Sequence, residues 1–184
     1  MHLTVHSQNL RRSVKNSLGA ITSFFKPSAR ECTAFFLQDL GSTGPDGPPL
    51  LRNTLGDHSI YANSSTNNKD RTVAIILHKS WSVSHVFRDP TGSLIGVVAS
   101  RSGLDILLVS AYLPSNTDAI GEPDVWDPDI KTSASITQEE VHSIYASLLE
   151  WTSLHPLWII GGDLNETSAR MDRVRTNEIR SRPP

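Results

Sequence analysis

Apolar residues two apart open the chain. Leu3 and Val5 alternate with polar neighbours over residues 2–8, the period of a half-buried strand. Val14, Leu18, Ile21 and Phe25 then recur at helical spacing over residues 13–25, and Pro27 ends that pattern. Residues 33–37 are a short apolar run, expected as a buried strand. Residues 41–49, GSTGPDGPP, hold three Gly and three Pro and are expected as loop. A short strand over 59–62 and a polar turn over 63–69 follow. Three β-rich runs come next: 72–78 (TVAIILH), 94–99 (LIGVVA) after the turn Asp89-Pro90-Thr91-Gly92, and 105–113 (DILLVSAYL) after Ser102-Gly103. The last two are close enough to form a hairpin. Residues 114–135 are expected to be irregular and are acidic, with Asp118, Glu122, Asp124, Asp127 and Asp129. Thr137 with Glu140 makes a capping box. It starts a helix whose expected apolar stripe is Val141, Ile144, Tyr145, Leu148 and Leu149. His155-Pro156 ends it. Trp158, Ile159 and Ile160 then read as a buried strand, with Gly161-Gly162 expected to turn the backbone sharply and to keep Cβ atoms away from a substrate.

Composition adds limits. At 184 residues and 38% apolar content the chain predicts one domain with a real core, and a formal charge of −2 argues neither for nor against nucleic acid. The single cysteine, Cys32, excludes an internal disulfide framework and a Cys-based zinc site, and is expected as a small core residue. No run approaches the roughly 20 apolar residues of a membrane span, and the start lacks a signal-peptide core. The expectation is a soluble, intracellular chain that does not meet membrane and whose sequon-like triplets, at Asn63 and Asn165, go unused. Strands separated by helices, with one hairpin, predict a mixed α/β layered fold.

The strand ends share a chemistry. The first strand runs to Asn9, the 33–37 run leads into Gln38-Asp39, the 105–111 run into Tyr112-Leu113-Pro114, and the 158–160 run into Asp163 and Asn165. Carboxylates at two strand ends suit a hard cation such as Mg²⁺, which keeps most of its waters and bridges phosphate oxygens. Asn side chains donate to phosphate without adding charge, and a tyrosine does the same. Taken singly, an Asp or Asn after a strand is more often a turn former, and Tyr112 more often packing.

Together these stretches resemble the endonuclease/exonuclease/phosphatase family, with its deoxyribonuclease I-like fold, and most of all the apurinic-type endonucleases of LINE-like retrotransposons. Ile159-Ile160-Gly161-Gly162-Asp163-Leu164-Asn165 is similar to the hallmark G-D-[FL]-N. Phe36-Leu37-Gln38-Asp39 lies where that family has L-Q-E, Ser110-Ala111-Tyr112-Leu113-Pro114 where it has Y-x-P, and residues 5–10 where its opening strand ends in an Asn. The resemblance implies a layered sandwich of two mixed β-sheets flanked by helices, incomplete at the C-terminus. It implies a truncated domain over 1–173 and an irregular tail over 174–184. It implies Mg²⁺-dependent (or Mn²⁺-dependent) hydrolysis of a phosphodiester by water, with DNA as partner and the nucleus as a compatible compartment. Asp39 would hold the metal; Asn9 would support that carboxylate or the phosphate; Tyr112 would support the transition state; Asp163 would orient or deprotonate the water; Asn165 would bind the scissile phosphate.

Two departures lower the expectation of activity. Asp39 is one methylene shorter than the usual Glu. The family's late Asp and S-D-H have no counterpart, since Asp57-His58 falls too early and is expected as a surface turn. His78 and His155 are expected to be structural or on the surface. The expected outcome is weak plasmid nicking or none. Two alternatives stay open: a catalytically inactive remnant with residual nucleic-acid binding, and a phosphatase acting on inositol phosphates or lipid phosphodiesters. Arg170, Arg173, Arg175, Arg180 and Arg182 of the tail could meet DNA phosphates, whereas the acidic 118–129 stretch does not favour DNA.

Overall fold

A computed structural model describes residues 3–10, 14–24, 32–40, 48–65, 72–113 and 138–164. The elements in chain order are β1 (Thr4–Asn9), α1 (Val14–Phe24), β2 (Thr33–Gln38), α2 (Pro49–Thr54), β3 (His58–Ser64), β4 (Thr72–His78), β5 (Ser82–Arg88), β6 (Leu94–Arg101), β7 (Leu104–Tyr112), α3 (Gln138–Ser153) and β8 (Trp158–Asp163). Among the described residues they make two four-stranded sheets, ordered β1-β2-β4-β3 and β5-β6-β7-β8. Both sheets are mixed: β1 runs parallel to β2 and β8 parallel to β7, and the other pairs are antiparallel.

Strand alternation sorts the core into three layers. Ala34 and Phe36 of β2, Val73, Ile75 and Leu77 of β4, Ile95, Val97 and Ala99 of β6, and Ile106 and Leu108 of β7 pack between the sheets. Their neighbours one position along face outward. Phe35, Leu37, Ala74 and Ile76 meet Ile21 of α1 and Leu51 of α2. Leu94, Val98, Leu107 and Val109 meet Ile144 and Trp151 of α3. The result is a four-layer α/β/β/α sandwich. The runs TAFFL, TVAIILH and DILLVSAYL are apolar at successive positions because both faces of their strands are covered. The expected hairpin forms, and its turn places Ser102 at φ 51° and Gly103 at φ 79°.

Several expectations are corrected. Strand β5 escaped the sequence pattern because a bulge interrupts its pairing with β6 between Val83 and His85. Val83 and Val86 therefore both face the inner core although they lie three apart. Helix α2 begins at Pro49, inside the stretch expected as loop, with proline in the first turn where no intrahelical N–H is needed. Asn63 and Ser64 belong to β3 rather than to a turn. On α3 the packed face is Val141, Ile144, Leu148 and Trp151, while Tyr145 and Leu149 are exposed. Strand β8 is half-buried rather than buried, and Trp158 is 49% exposed. His58 starts β3 and is buried, its ring edge-on to His78, so only Asp57 matches the expected surface turn. Cys32 is half-buried, with Arg101 Nη1 donating to its sulfur at 3.5 Å. The expected loop over 41–47, the turn residues 66–69, the 114–135 stretch, the Thr137 cap, Asn165 and the tail lie outside the described residues. Among the described residues no helix is long and apolar enough to cross a membrane.

Candidate active site

The alternation that builds the inner core also aims polar side chains at its mouth. Val5 of β1 packs inward, so Ser7 and Asn9 share its face. Phe36 of β2 packs inward, so Gln38 follows it. Ile106 and Leu108 of β7 bring Ser110 and then Tyr112 to the same side, and Ile159 of β8 brings Gly161 and Asp163. Register sets their depth. Asn9 lies opposite Gln38 across β1 and β2, and Tyr112 lies opposite Asp163 across β7 and β8. The last polar residues of four strands thus arrive together where β1 faces β8.

Hydrogen bonds tie the two sheets together there. Asn9 Nδ2 donates to Asp163 Oδ2 at 2.6 Å, joining residues 154 positions apart. Deeper in, Gln38 is buried and its Nε2 donates to Ser7 Oγ at 3.2 Å and to Ser110 Oγ at 3.1 Å. Ser110 Oγ donates to the Leu37 carbonyl at 3.3 Å. Ser7, Gln38 and Ser110 thus have partners between the sheets, which offsets their desolvation. Two main-chain bonds extend the ladders past the strand ends: Leu10 N–H to Gln38 O and Leu113 N–H to Asp163 O, both 2.9 Å. The carboxylate of Asp163 is therefore held at its backbone by β7 and at one oxygen by Asn9.

Asp39 follows directly on Gln38, half-buried, with φ 54°. That left-handed backbone is tolerated by Asp better than by most residues. It turns the chain out of β2 at the same end of the sandwich. Asn165 lies outside the described residues. Four of the five residues picked from the sequence thus stand at one end of the sandwich, and Asn9 and Asp163 are in direct contact.

Among the described residues no three acid, His or Cys side chains gather as a metal cage. Asp39 and Asp163 place two carboxylates at this end of the sandwich, and Asp163 is bonded to the neutral amide of Asn9. That fits Mg²⁺ or Mn²⁺ held in part by protein and otherwise by water and substrate phosphate.

The glycines before Asp163 do something other than turn the chain. Both lie inside β8. A Cβ on Gly161 would stand 2.9 Å from the Phe36 ring, and one on Gly162 would stand 1.8 Å from the Ala111 carbonyl oxygen. Gly161 lets β8 close on the facing sheet, and Gly162 lets it pair with β7. The pair thereby sets the depth at which Asp163 emerges.

The same end of the sandwich carries a second polar cluster, built on the Asp89-Pro90-Thr91-Gly92 turn. Asp89 is buried and accepts from Leu94 N–H at 2.6 Å, from Thr91 N–H at 3.0 Å and from the Thr91 hydroxyl. Asn63 Nδ2 donates to its carboxylate at 3.1 Å and to the Asp89 and Leu94 carbonyls, each at 2.8 Å. Burial pushes the Asp89 carboxyl above its ordinary 3.8, against the pull of its hydrogen bonds to Thr91, Leu94 and Ser93. Gly92 has φ 77°, and a Cβ there would stand 2.0 Å from Ser65 N. Tyr112 N–H donates to Ser93 O at 2.8 Å, so this clamp braces the strand that carries Tyr112.

Sequence reasoning assigned roles to Asn9, Asp39, Tyr112, Asp163 and Asn165, placed Gln38 at a strand end without a role, and passed over Ser7 and Ser110. The available signal was a glutamine placed two positions after the inward Phe36.

Two stacked mixed sheets, helices on both outer faces and polar groups gathered at one end define a deoxyribonuclease I-like α/β sandwich. The chain has the endonuclease/exonuclease/phosphatase fold, as solved structures show. The endonuclease domain of TRAS1, a telomere-specific non-LTR retrotransposon, superposes with a TM-score of 0.56 at 17% identity, over 97% of this chain and 70% of that one. D. rerio TDP2 complexed with single-strand DNA product gives 0.55 at 15%, over 94% and 64%. An endonuclease/exonuclease/phosphatase family protein from Leptotrichia buccalis C-1013-b gives 0.54 at 16%, over 97% and 74%. The chain thus spans between 64% and 74% of the lengths of these three. No family model matches the sequence, and no curated protein does.

Proposed function

We propose that the mouth between β1 and β8 hydrolyses phosphodiesters, with DNA as the substrate. The observation that carries this reading is the Asn9–Asp163 hydrogen bond at 2.6 Å, which fixes a carboxylate at the sheet edge through a neutral donor. Oriented by Asn9, the Asp163 carboxylate takes a proton from, or orients, an attacking water. A neutral partner suits this role because it orients the carboxylate without pairing off its charge. Tyr112, one strand over, donates to a phosphoryl oxygen as charge builds on it. Asp39 and Asp163 would hold Mg²⁺ or Mn²⁺, and the ion when bound offsets phosphoryl charge and the charge of the leaving oxygen. Asn165 would donate to the scissile phosphate. The solved neighbours support the reading at the level of fold, and one of them was captured with a DNA product.

The test is nicking of supercoiled plasmid with Mg²⁺ or Mn²⁺. Slow nicking is expected, slow because Asp39 is short for a metal ligand. Asp163→Ala is expected to lower it by about a hundredfold or more, in the range of a lost general base. Nicking unaffected by Asp163→Ala, or no nicking with either ion, would overturn the proposal; DNA binding without cleavage would then favour the inactive remnant. Release of phosphate from inositol phosphates with DNA left intact would favour a phosphatase.

A further inference from the structure

Strand order separates two sides of the sandwich. Asn9 and Asp163 lie on the side of β1 and β8, whereas β3 and β5 are the last strands at the opposite side. A groove of about 510 Å³ runs along that opposite side, within the usual size range of small-molecule sites. Arg52 from α2, Lys79 from the β4–β5 turn and Arg88 from β5 line it, with Ile60 and Tyr61 of β3 and Val86 of β5.

Its charge is one-sided. Among the described residues three cationic side chains line the groove and no carboxylate does, with the exposed Asp57 flanking it between Gly56 and His58. One cation is oriented: Arg88 Nε donates to the Ala62 carbonyl at 3.0 Å, bridging from β5 to the edge of β3. A guanidinium has five N–H donors in a planar fork, so that one bond leaves most of them for a ligand. Lys79 is held by its backbone, which donates to the Asp57 carbonyl at 2.9 Å, and its exposed ammonium supplies a point charge. Forked and point cations together suit a phosphoryl group, and an apolar wall with one tyrosine suits the flat body that such a group carries.

We propose that this groove binds the phosphate of a nucleoside monophosphate, or a phosphoryl group of like size, at a site separate from the Asn9–Asp163 mouth. The phosphate meets Arg52, Lys79 and Arg88, and the base and sugar lie toward Ile60, Tyr61 and Val86.

Calorimetric titration of the full chain in EDTA tests this, with three probes: AMP, inorganic phosphate, and a twelve-nucleotide single strand without terminal phosphate. Saturable one-to-one binding of AMP is expected. It should weaken about tenfold in Lys79→Ala and again in Arg52→Ala/Lys79→Ala, with melting temperatures held, and stay unchanged in Asp163→Ala. AMP tighter than phosphate assigns the apolar wall to the nucleoside; equal affinities assign the site to the phosphoryl group alone. No saturable AMP or phosphate binding, binding indifferent to Lys79→Ala, or Lys79-dependent binding of the oligonucleotide only would overturn the proposal. Asp163→Ala removes the proposed hydrolysis but leaves this site intact, so the two readings fail separately.

Discussion

Asn9 and Asp163 meet because each ends an inward-facing series on its own strand, Leu3-Val5-Ser7-Asn9 and Ile159-Gly161-Asp163. Shifting either strand by one residue would send its polar end to the opposite face. Gly162 lets β8 lie close enough to β7 to hold its pairing. Gly162→Ala is expected to cost about 2–4 kcal/mol, since the methyl meets main chain and not a yielding side chain. Chemical denaturation of the purified variant measures it; a loss under about 0.5 kcal/mol, the scale of an innocuous surface change, would contradict the packing described. Gln38 makes a second residue-scale case. Gln38→Leu strands Ser7 and Ser110 between the sheets without their shared donor. It is expected to cost about 1–3 kcal/mol.

At the scale of elements, the strands covered on both faces were legible in sequence, and so was the β6–β7 hairpin. Strand β5 was not, because its bulge replaces a simple period of two with inward residues three apart. The true face of α3 was missed for a related reason. Leu149 is apolar but 71% exposed, while Trp151 turns inward against Phe87 with ring centroids 5.3 Å apart. Tertiary contact, not composition, decided which stripe was buried. The turn after β5 yields a pH prediction. The Asp89 carboxyl is raised in the folded state, so that state holds its proton more tightly than the unfolded chain does. Stability contributed by this group therefore falls as pH rises from 3.8 through the raised folded value, and is flat above it. In thermal melts from about pH 4 to about pH 7, the advantage of wild type over Asp89→Asn should shrink as pH rises. Asp89→Asn should also melt lower throughout, because its amide puts a donor where Thr91 and Leu94 need acceptors.

For the molecule as a whole, a sandwich of two sheets does two things with one pattern. Alternation buries Phe36, Ile75, Val97 and Leu108 between the sheets, and at the C-terminal ends of β1, β2, β7 and β8 it presents Asn9, Gln38, Tyr112 and Asp163. The site was legible from sequence as a set of strand ends. Its contacts were not, because they join residues as far apart as 154 positions and depend on which strands become neighbours. The resemblance in G-D-L-N supplied the order of the motifs, and the two mixed sheets match the fold it implied. On the proposed chemistry, Asn9 acts only by positioning Asp163. The most direct test is a double-mutant cycle on plasmid nicking with Asn9→Ala, Asp163→Asn and both together. The expected result is that the double variant is no slower than Asp163→Asn alone, since Asn9 has nothing left to position. Losses that multiply, or an Asn9→Ala variant as fast as wild type, would contradict the account.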